Sequence, residues 1–208
     1  MAAPLKLTKN EFRARKSKLE WLQAYLPTLK LKKALLQSEV QAALSENELC
    51  EREYESTKHQ VYAMAELFSI PIYIRDVEES FQVSRIDKEL ENIAGVEVPV
   101  FRGVEMKNSS YSLLDTPAWT DTLIALSRDF VVAKIKSAIA KERCEILQAE
   151  LRNVSIRVNL FEKKLIPETK EAMKKITIFL NDRAMVDVGQ NKIAKKKIEE
   201  KKEAFHEG

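Results

Sequence analysis

The sequence predicts an all-α protein, a long antiparallel two-helix coiled coil folded as a hairpin, with a small β-hairpin insert in the middle of the chain. Three observations carry this. Apolar residues recur at a coiled-coil period over two long stretches. Between those stretches the period changes to two. Only 4 Gly and 6 Pro interrupt 208 residues of which 32% are charged, a composition of long helix rather than of turns. The 45% hydrophobic content excludes a wholly disordered chain, and no apolar run is long enough to span a bilayer, so direct membrane insertion is not expected. The two cysteines, Cys50 and Cys144, are too few for a disulfide scaffold or a cysteine-based zinc site, and no signal peptide is recognisable. Both points lead to a reducing, cytoplasmic setting.

The first coiled-coil helix is assigned to residues 1–68. Thr8 and Glu11 are spaced as a capping box, and Leu7 and Phe12 as a hydrophobic staple, so the helix should begin near Lys9. Alternating steps of three and four from Leu19 reach Leu22, Leu26, Leu29, Lys33, Leu36, Val40, Ala43, Asn47, Cys50, Tyr54, Thr57, Val61, Met64 and Phe68. Only Lys33, Asn47 and Thr57 are not apolar. A seam held over so many heptads commits the helix to a helical partner, over roughly 90 Å at ~1.5 Å per residue. Pro27 lies inside it, which predicts a kink or local break there.

Residues 69–116 form the insert, marked by Pro71, Pro99, Gly95 and Gly103. Phe81-Gln82-Val83 leads into one strand and Val96-Glu97-Val98-Pro99-Val100 forms another, joined across Lys88 to Gly95. Pro99 removes a ladder donor and so belongs on an edge strand.

The second helix is assigned to residues 117–208, ending in a lysine-rich tail. Thr116 and Pro117 supply a cap and a first-turn proline. From Leu123 the seam runs Leu126, Phe130, Ala133, Ser137, Ala140, Cys144, Leu147, Leu151, Val154, Val158, Phe161 and Leu165, with Ser137 its one polar member. It then advances by four, to Thr169, Ala172, Ile176, Phe179, Arg183 and Val186, a stutter that unwinds the supercoil at Pro167.

Two such seams suit an intramolecular antiparallel pair, whose facing residues have numbers of constant sum. Pro27 with Pro167 and Cys50 with Cys144 both sum to 194, which would set both thiols in one core layer. Charge is polarised along this arrangement. Residues 1–33 hold nine Lys/Arg against Glu11 and Glu20, whereas residues 41–118 hold seven basic and fifteen acidic side chains. A basic end near the termini and an acidic end at the insert suit different partners.

Inventory argues against catalysis by this chain: there is no glycine-rich phosphate loop and no nucleophile elbow, and His59 and His206 have no neighbours at metal-ligand spacing. No catalytic, cofactor-binding or metal residues are assigned. Glu51, Glu53 and Glu55 read as a solvated helix face. The lysine tail lacks interleaved aromatics and is diluted by Glu199, Glu200 and Glu203, so nucleic acid is not an expected partner. The apolar stripes are narrow seams rather than lipid-facing halves.

Four collinear blocks carry a resemblance: LPTLKLKKALL from Leu26 to Leu36, ENIAGVEVPVF from Glu91 to Phe101, YSLLDTPAW from Tyr111 to Trp119, and RVNLFEKKLIPETKEAMKKITIFLNDR from Arg157 to Arg183. They resemble the D subunit of V-type and A-type rotary ATP synthases, nearest to the bacterial V-type members. The match weakens from Ala184 onward, where Gly189 interrupts the helical composition. The resemblance implies a central rotor shaft in which the paired terminal helices sit inside the hexamer of catalytic A and B subunits. It further implies a small F subunit on the flank and a C subunit that couples the shaft to the membrane ring. ATP or ADP and Mg would then be held by partner subunits, and no cofactor by this chain. By match to the family blocks, Pro27, Lys30, Lys32, Lys33, Arg157, Asn159, Lys164 and Pro167 are expected to face partners. The seam positions Leu22, Leu29, Leu36, Val40, Cys50, Cys144, Leu151, Val158, Phe161 and Leu165 are expected to hold the helices together. A free-standing coiled-coil scaffold or nucleic-acid-binding rod is the alternative, and it leaves the four blocks unexplained.

Overall fold

A computed structural model describes residues 5–66, 82–107, 117 and 119–206, the last six of these by their backbone alone. The chain is mostly helical, with two long antiparallel helical arms and a two-stranded hairpin between them in sequence. The elements are α1 (Lys9–Ala63), β1 (Val83–Ile93), β2 (Val96–Met106), α2 (Trp119–Leu160), a π-helical turn (Phe161–Leu165) and α3 (Ile166–His206). They divide into two compact units, one of Met1–Lys30 with Ile156–Gly208, the other of Leu31–Ser155. The expected junctions near 68 and 116, with Thr116 and Phe68, lie outside the described residues.

Helix α1 starts where its cap residues place it. The Glu11 backbone N–H donates to Thr8 Oγ1 at 3.2 Å, and the Phe12 N–H makes the first helical bond to the Thr8 carbonyl at 3.0 Å. The Glu11 carboxylate turns away from the box and accepts from Arg15 Nε at 2.7 Å. The expected break at Pro27 is absent: α1 stays helical through it for 55 residues. Pro27 and Gln23 are both exposed, so the Gln23 carbonyl that loses its donor lies on the wet side of the helix. The Thr28 hydroxyl donates to the Tyr25 carbonyl at 2.7 Å alongside.

The second proline is handled differently. Ahead of Pro167 the helix widens to a π turn, in which the Ile166 N–H donates to the Phe161 carbonyl. A π turn holds one more residue than an α turn. Here it falls at the seam's stutter, just before the residue whose missing N–H and bulky ring would disturb a regular ladder.

In each unit the seam residues point inward. Leu22, Leu29, Cys50, Cys144, Val154 and Val158 are buried, and Leu36 and Leu147 are 0% exposed. Leu151, Phe161 and Leu165 are half-buried. Thr169 is buried at its seam position and satisfies its hydroxyl on the Leu165 carbonyl at 2.6 Å. Past Ile176 the seam no longer buries its members: Phe179 and Val186 are exposed, as is Arg183. Toward Val186 the length of α1 contributes. Leu7, Thr8 and Lys9 line a cleft with Leu180, Arg183, Ala184 and Asp187, and farther along α3 no part of α1 remains to stand opposite.

The residue sum of 194 is not the register found. In the Leu31–Ser155 unit, Glu46 pairs with Arg143 and Glu53 with Lys136, both sums being 189, and Tyr54 stacks on Phe130 at a sum of 184. Cys50 lies beside Lys136, Ile139 and Ala140, and both thiols are free and buried.

The hairpin also departs from expectation. Residues 88–93, read as a connection, belong to β1, and the turn is only Ala94-Gly95, closed by the Ile93–Val96 pair. Ala94 has φ +53° and Gly95 φ +80°, the left-handed pair of a type I′ turn, and the Gly95 N–H donates to Asn92 Oδ1 at 2.9 Å. Pro99 pairs with Leu90 in β2. Both strands of a two-stranded sheet are edges, so its lost donor costs no second ladder. Val98 and Pro99 are buried while most of β1 is exposed, so β2 is the strand that faces the helices of its unit.

Candidate docking surfaces

Side chains off the seam make the surfaces a partner would meet. In the Met1–Lys30 and Ile156–Gly208 unit, Trp21 and Tyr25 sit one helical turn apart on α1, with ring centroids 5.5 Å apart and planes within 8°. Phe161 from the π turn meets them at 6.1 and 6.3 Å in tilted geometry. Trp21 is 58% exposed and Tyr25 46%. Ile156 and Leu160 add an exposed apolar row on α2. None of these residues except Phe161 was singled out by the seam. The signal that finds them is an apolar residue standing where the coiled-coil period calls for a polar one.

The basic residues expected to face partners have distinct settings. Lys30 pairs with Glu162 and so ties α1 to the π turn. Pro27 is exposed on α1, Arg157, Asn159 and Lys164 are exposed on the opposite arm of the same unit, and Pro167 is half-buried. Lys32 and Lys33 belong to the other unit, where both are half-buried and Lys32 donates to Glu150 Oε1 at 2.9 Å. Lys32 is therefore an internal brace at least as much as a surface charge.

The Leu31–Ser155 unit carries a row of inter-element ion pairs. Lys136 donates to Glu53 at 2.7 Å, Arg143 to Glu46 at 2.8 Å, and Lys88 of β1 to Glu142 of α2 at 3.2 Å. Within the hairpin, Arg102 bonds Glu89 across the strands. Beneath it, Pro99, Val100 and Phe101 of β2 close a cavity of about 70 Å3 with Cys50, Ile139 and Ala140. Burial pushes the Cys50 thiol up, opposed by the Lys136 charge and reinforced by Glu53 and Glu46. Burial also raises Cys144, helped by Glu145, while the Gln148 amide at 3.3 Å pulls the other way. Both are held as neutral, weakly nucleophilic thiols. The hydrogen bond to Glu53 holds the Lys136 ammonium above its ordinary value. These pairs were missed because partners 54 to 97 residues apart in sequence have no local signature.

The arrangement offers surfaces, not a reaction centre. Among the described residues there is no group of three or more His, Cys, Asp or Glu side chains placed to hold a metal, and no described helix is long and apolar enough to cross a membrane.

Comparison with known proteins decides the family. The family model for the D subunit of ATP synthase matches residues 11–196. The chain belongs to this family. It is 57% identical to the V-type ATP synthase D subunit of Chlamydia abortus over 203 residues, 98% of each chain. It is 57% identical to that of Chlamydia pneumoniae over 202 residues, 97% of each. Against the D subunit of Chlamydia trachomatis serovar L2 the identity is 55%, over 98% of this chain and all of the relative. For a member of this D-subunit family, the seams, the hairpin and the basic blocks become parts of one machine component.

Proposed function

We propose that the chain is the central-stalk subunit of a V-type ATP synthase, the rotor shaft that couples ion translocation through the membrane ring to ATP synthesis or hydrolysis in a catalytic hexamer. The observation that carries this reading is the family match along nearly the whole chain, on a molecule whose described core is a pair of long helices seamed together. Such a pair transmits torque because twisting it must shear a continuous interdigitated seam. Its two arms differ in sequence, so it presents a different face to each catalytic interface as it turns. The chain itself is non-catalytic, and ATP or ADP with Mg is bound by partners. Its partners are the A and B subunits, the F subunit and the C subunit, and its place is cytoplasmic, peripheral to the membrane.

The test is ATP synthesis by the reconstituted complex in vesicles under an imposed ion gradient. Leu29→Lys combined with Leu165→Lys puts charge into the seam beside the prolines, the buried Leu29 position bearing a cost of several kcal/mol for unpaired burial. The expected result is retained nucleotide binding with loss of gradient-driven synthesis. Wild-type synthesis by an assembled double variant overturns the shaft reading.

A further inference from the structure

Trp21 and Tyr25 expose more aromatic surface than a helix pair needs to leave in water, and their surroundings say what covers it. Lys18 stands three residues before Trp21, and Arg157 and Lys164 flank Phe161 at one turn on either side, on the same helical faces as the rings. All three cations are exposed, and none has an ion-pair partner among the described residues, unlike Arg15 and Lys30 of the same unit. An aromatic centre of Trp and Tyr with Arg and Lys at its rim has the anatomy of a protein-binding hot spot. The rings already stack on each other and pack at a tilt against Phe161, so little rotamer freedom is left to lose on docking.

We propose that the Trp21–Tyr25–Phe161 patch is an anchor for another subunit of the synthase, one that offers an apolar pocket rimmed by aspartate or glutamate. This rests on the central-stalk reading. Charge complementarity selects that occupant. The unit carrying the patch holds 20 Lys/Arg against 11 Asp/Glu, so a second copy meeting it patch to patch would bring like charges together. A lipid surface would match the cations, but a three-ring cluster on a narrow helical face lacks the broad apolar half that interfacial helices bury.

Hydroxyl-radical footprinting of the isolated chain and of the assembled complex reads the patch residue by residue. Oxidation of Trp21 and Tyr25 is expected to fall at least about fivefold on assembly. Trp21→Ala with Tyr25→Ala is expected to weaken incorporation by about thirtyfold or more, Trp21→Phe to restore most of it, and the melting temperature of the isolated chain to stay near wild type. Lys18→Gln, Arg157→Gln and Lys164→Gln together are expected to flatten the salt dependence of incorporation. Three results overturn the proposal: undiminished oxidation in the complete complex, concentration-dependent protection of the isolated chain, or protection by anionic-lipid vesicles without partner subunits. If the complex assembles and makes ATP while the patch stays oxidisable, the anchor fails and the stalk stands. If the wild-type chain does not enter the complex at all, both fall.

Discussion

Leu35 and Leu36 are neighbours with opposite fates, and the difference is one of phase. Leu36 falls on the seam and is 0% exposed, while Leu35, turned ~100° around the helix, is 47% exposed. Leu36→Ala is expected to cost about 3 kcal/mol through lost transfer energy and a cavity. Leu35→Ala should stay within about 0.5 kcal/mol, both read by urea denaturation of the isolated chain. The buried thiols make a second prediction. Because burial raises Cys50 and Cys144, the folded state holds their protons more tightly than the unfolded chain does. Their contribution is therefore complete below the unfolded thiol value and is lost as pH rises through it toward the folded one. Lys136, raised by Glu53, acts in the same direction at higher pH. The melting temperature should hold steady through neutral pH and fall above an ordinary thiol value of 9.0, with a shallower fall in Cys50→Ala.

At the scale of elements, two turns organise the chain and each invites a defined change. Gly95 sits at φ +80° with open space around the position of a Cβ, so Gly95→Ala meets no clash and pays only for the left-handed backbone. The expected loss is about 1 kcal/mol, confined to the hairpin and visible as faster exchange of the β1 and β2 amides with α2 unaffected. The π turn is the other case. Removing Lys163 together with Pro167→Ala takes out the extra residue and the ring that accompanies it, and should yield a continuous α-helix with an unchanged seam on both sides. The melting temperature should be no lower than wild type, and a crystal structure that keeps the wide turn would refute this account of it. The hairpin illustrates how legibility depends on range. Alternating Val96-Glu97-Val98 announces β2, but Lys88 to Ile93 is polar and reads as a loop until pairing with β2 fixes it as strand.

At the scale of the molecule, the two units differ in charge and in what their helices have to pack on. Met1–Lys30 with Ile156–Gly208 is basic, whereas Leu31–Ser155 has 15 Lys/Arg against 21 Asp/Glu and pairs several of them between elements. In the basic unit α3 continues to His206, well past the cleft it shares with the start of α1. Gly189 lies in that stretch with open space where a Cβ would stand. A chain truncated after Asp187 should therefore melt within a few degrees of the full chain, because residues 188–200 are almost all exposed. A large loss of stability would show that the end of α3 has a partner within the chain.

The sequence by itself determined the class of fold, the start of α1 and the presence of a hairpin between the arms. Each of these rests on residues close together along the chain, through caps, helical period and turn chemistry. Tertiary structure decided the rest. The register of Glu46 with Arg143 and Glu53 with Lys136 depends on how one arm slides along the other, a choice that a mostly apolar seam repeating every heptad leaves open. The same holds for Pro27 and Pro167, alike in sequence, one absorbed on an exposed face and the other preceded by a wide turn. Trp21 and Tyr25 can be picked out in the sequence as apolar residues off the coiled-coil period, but how much of each ring stays in water follows from which face the opposite arm covers.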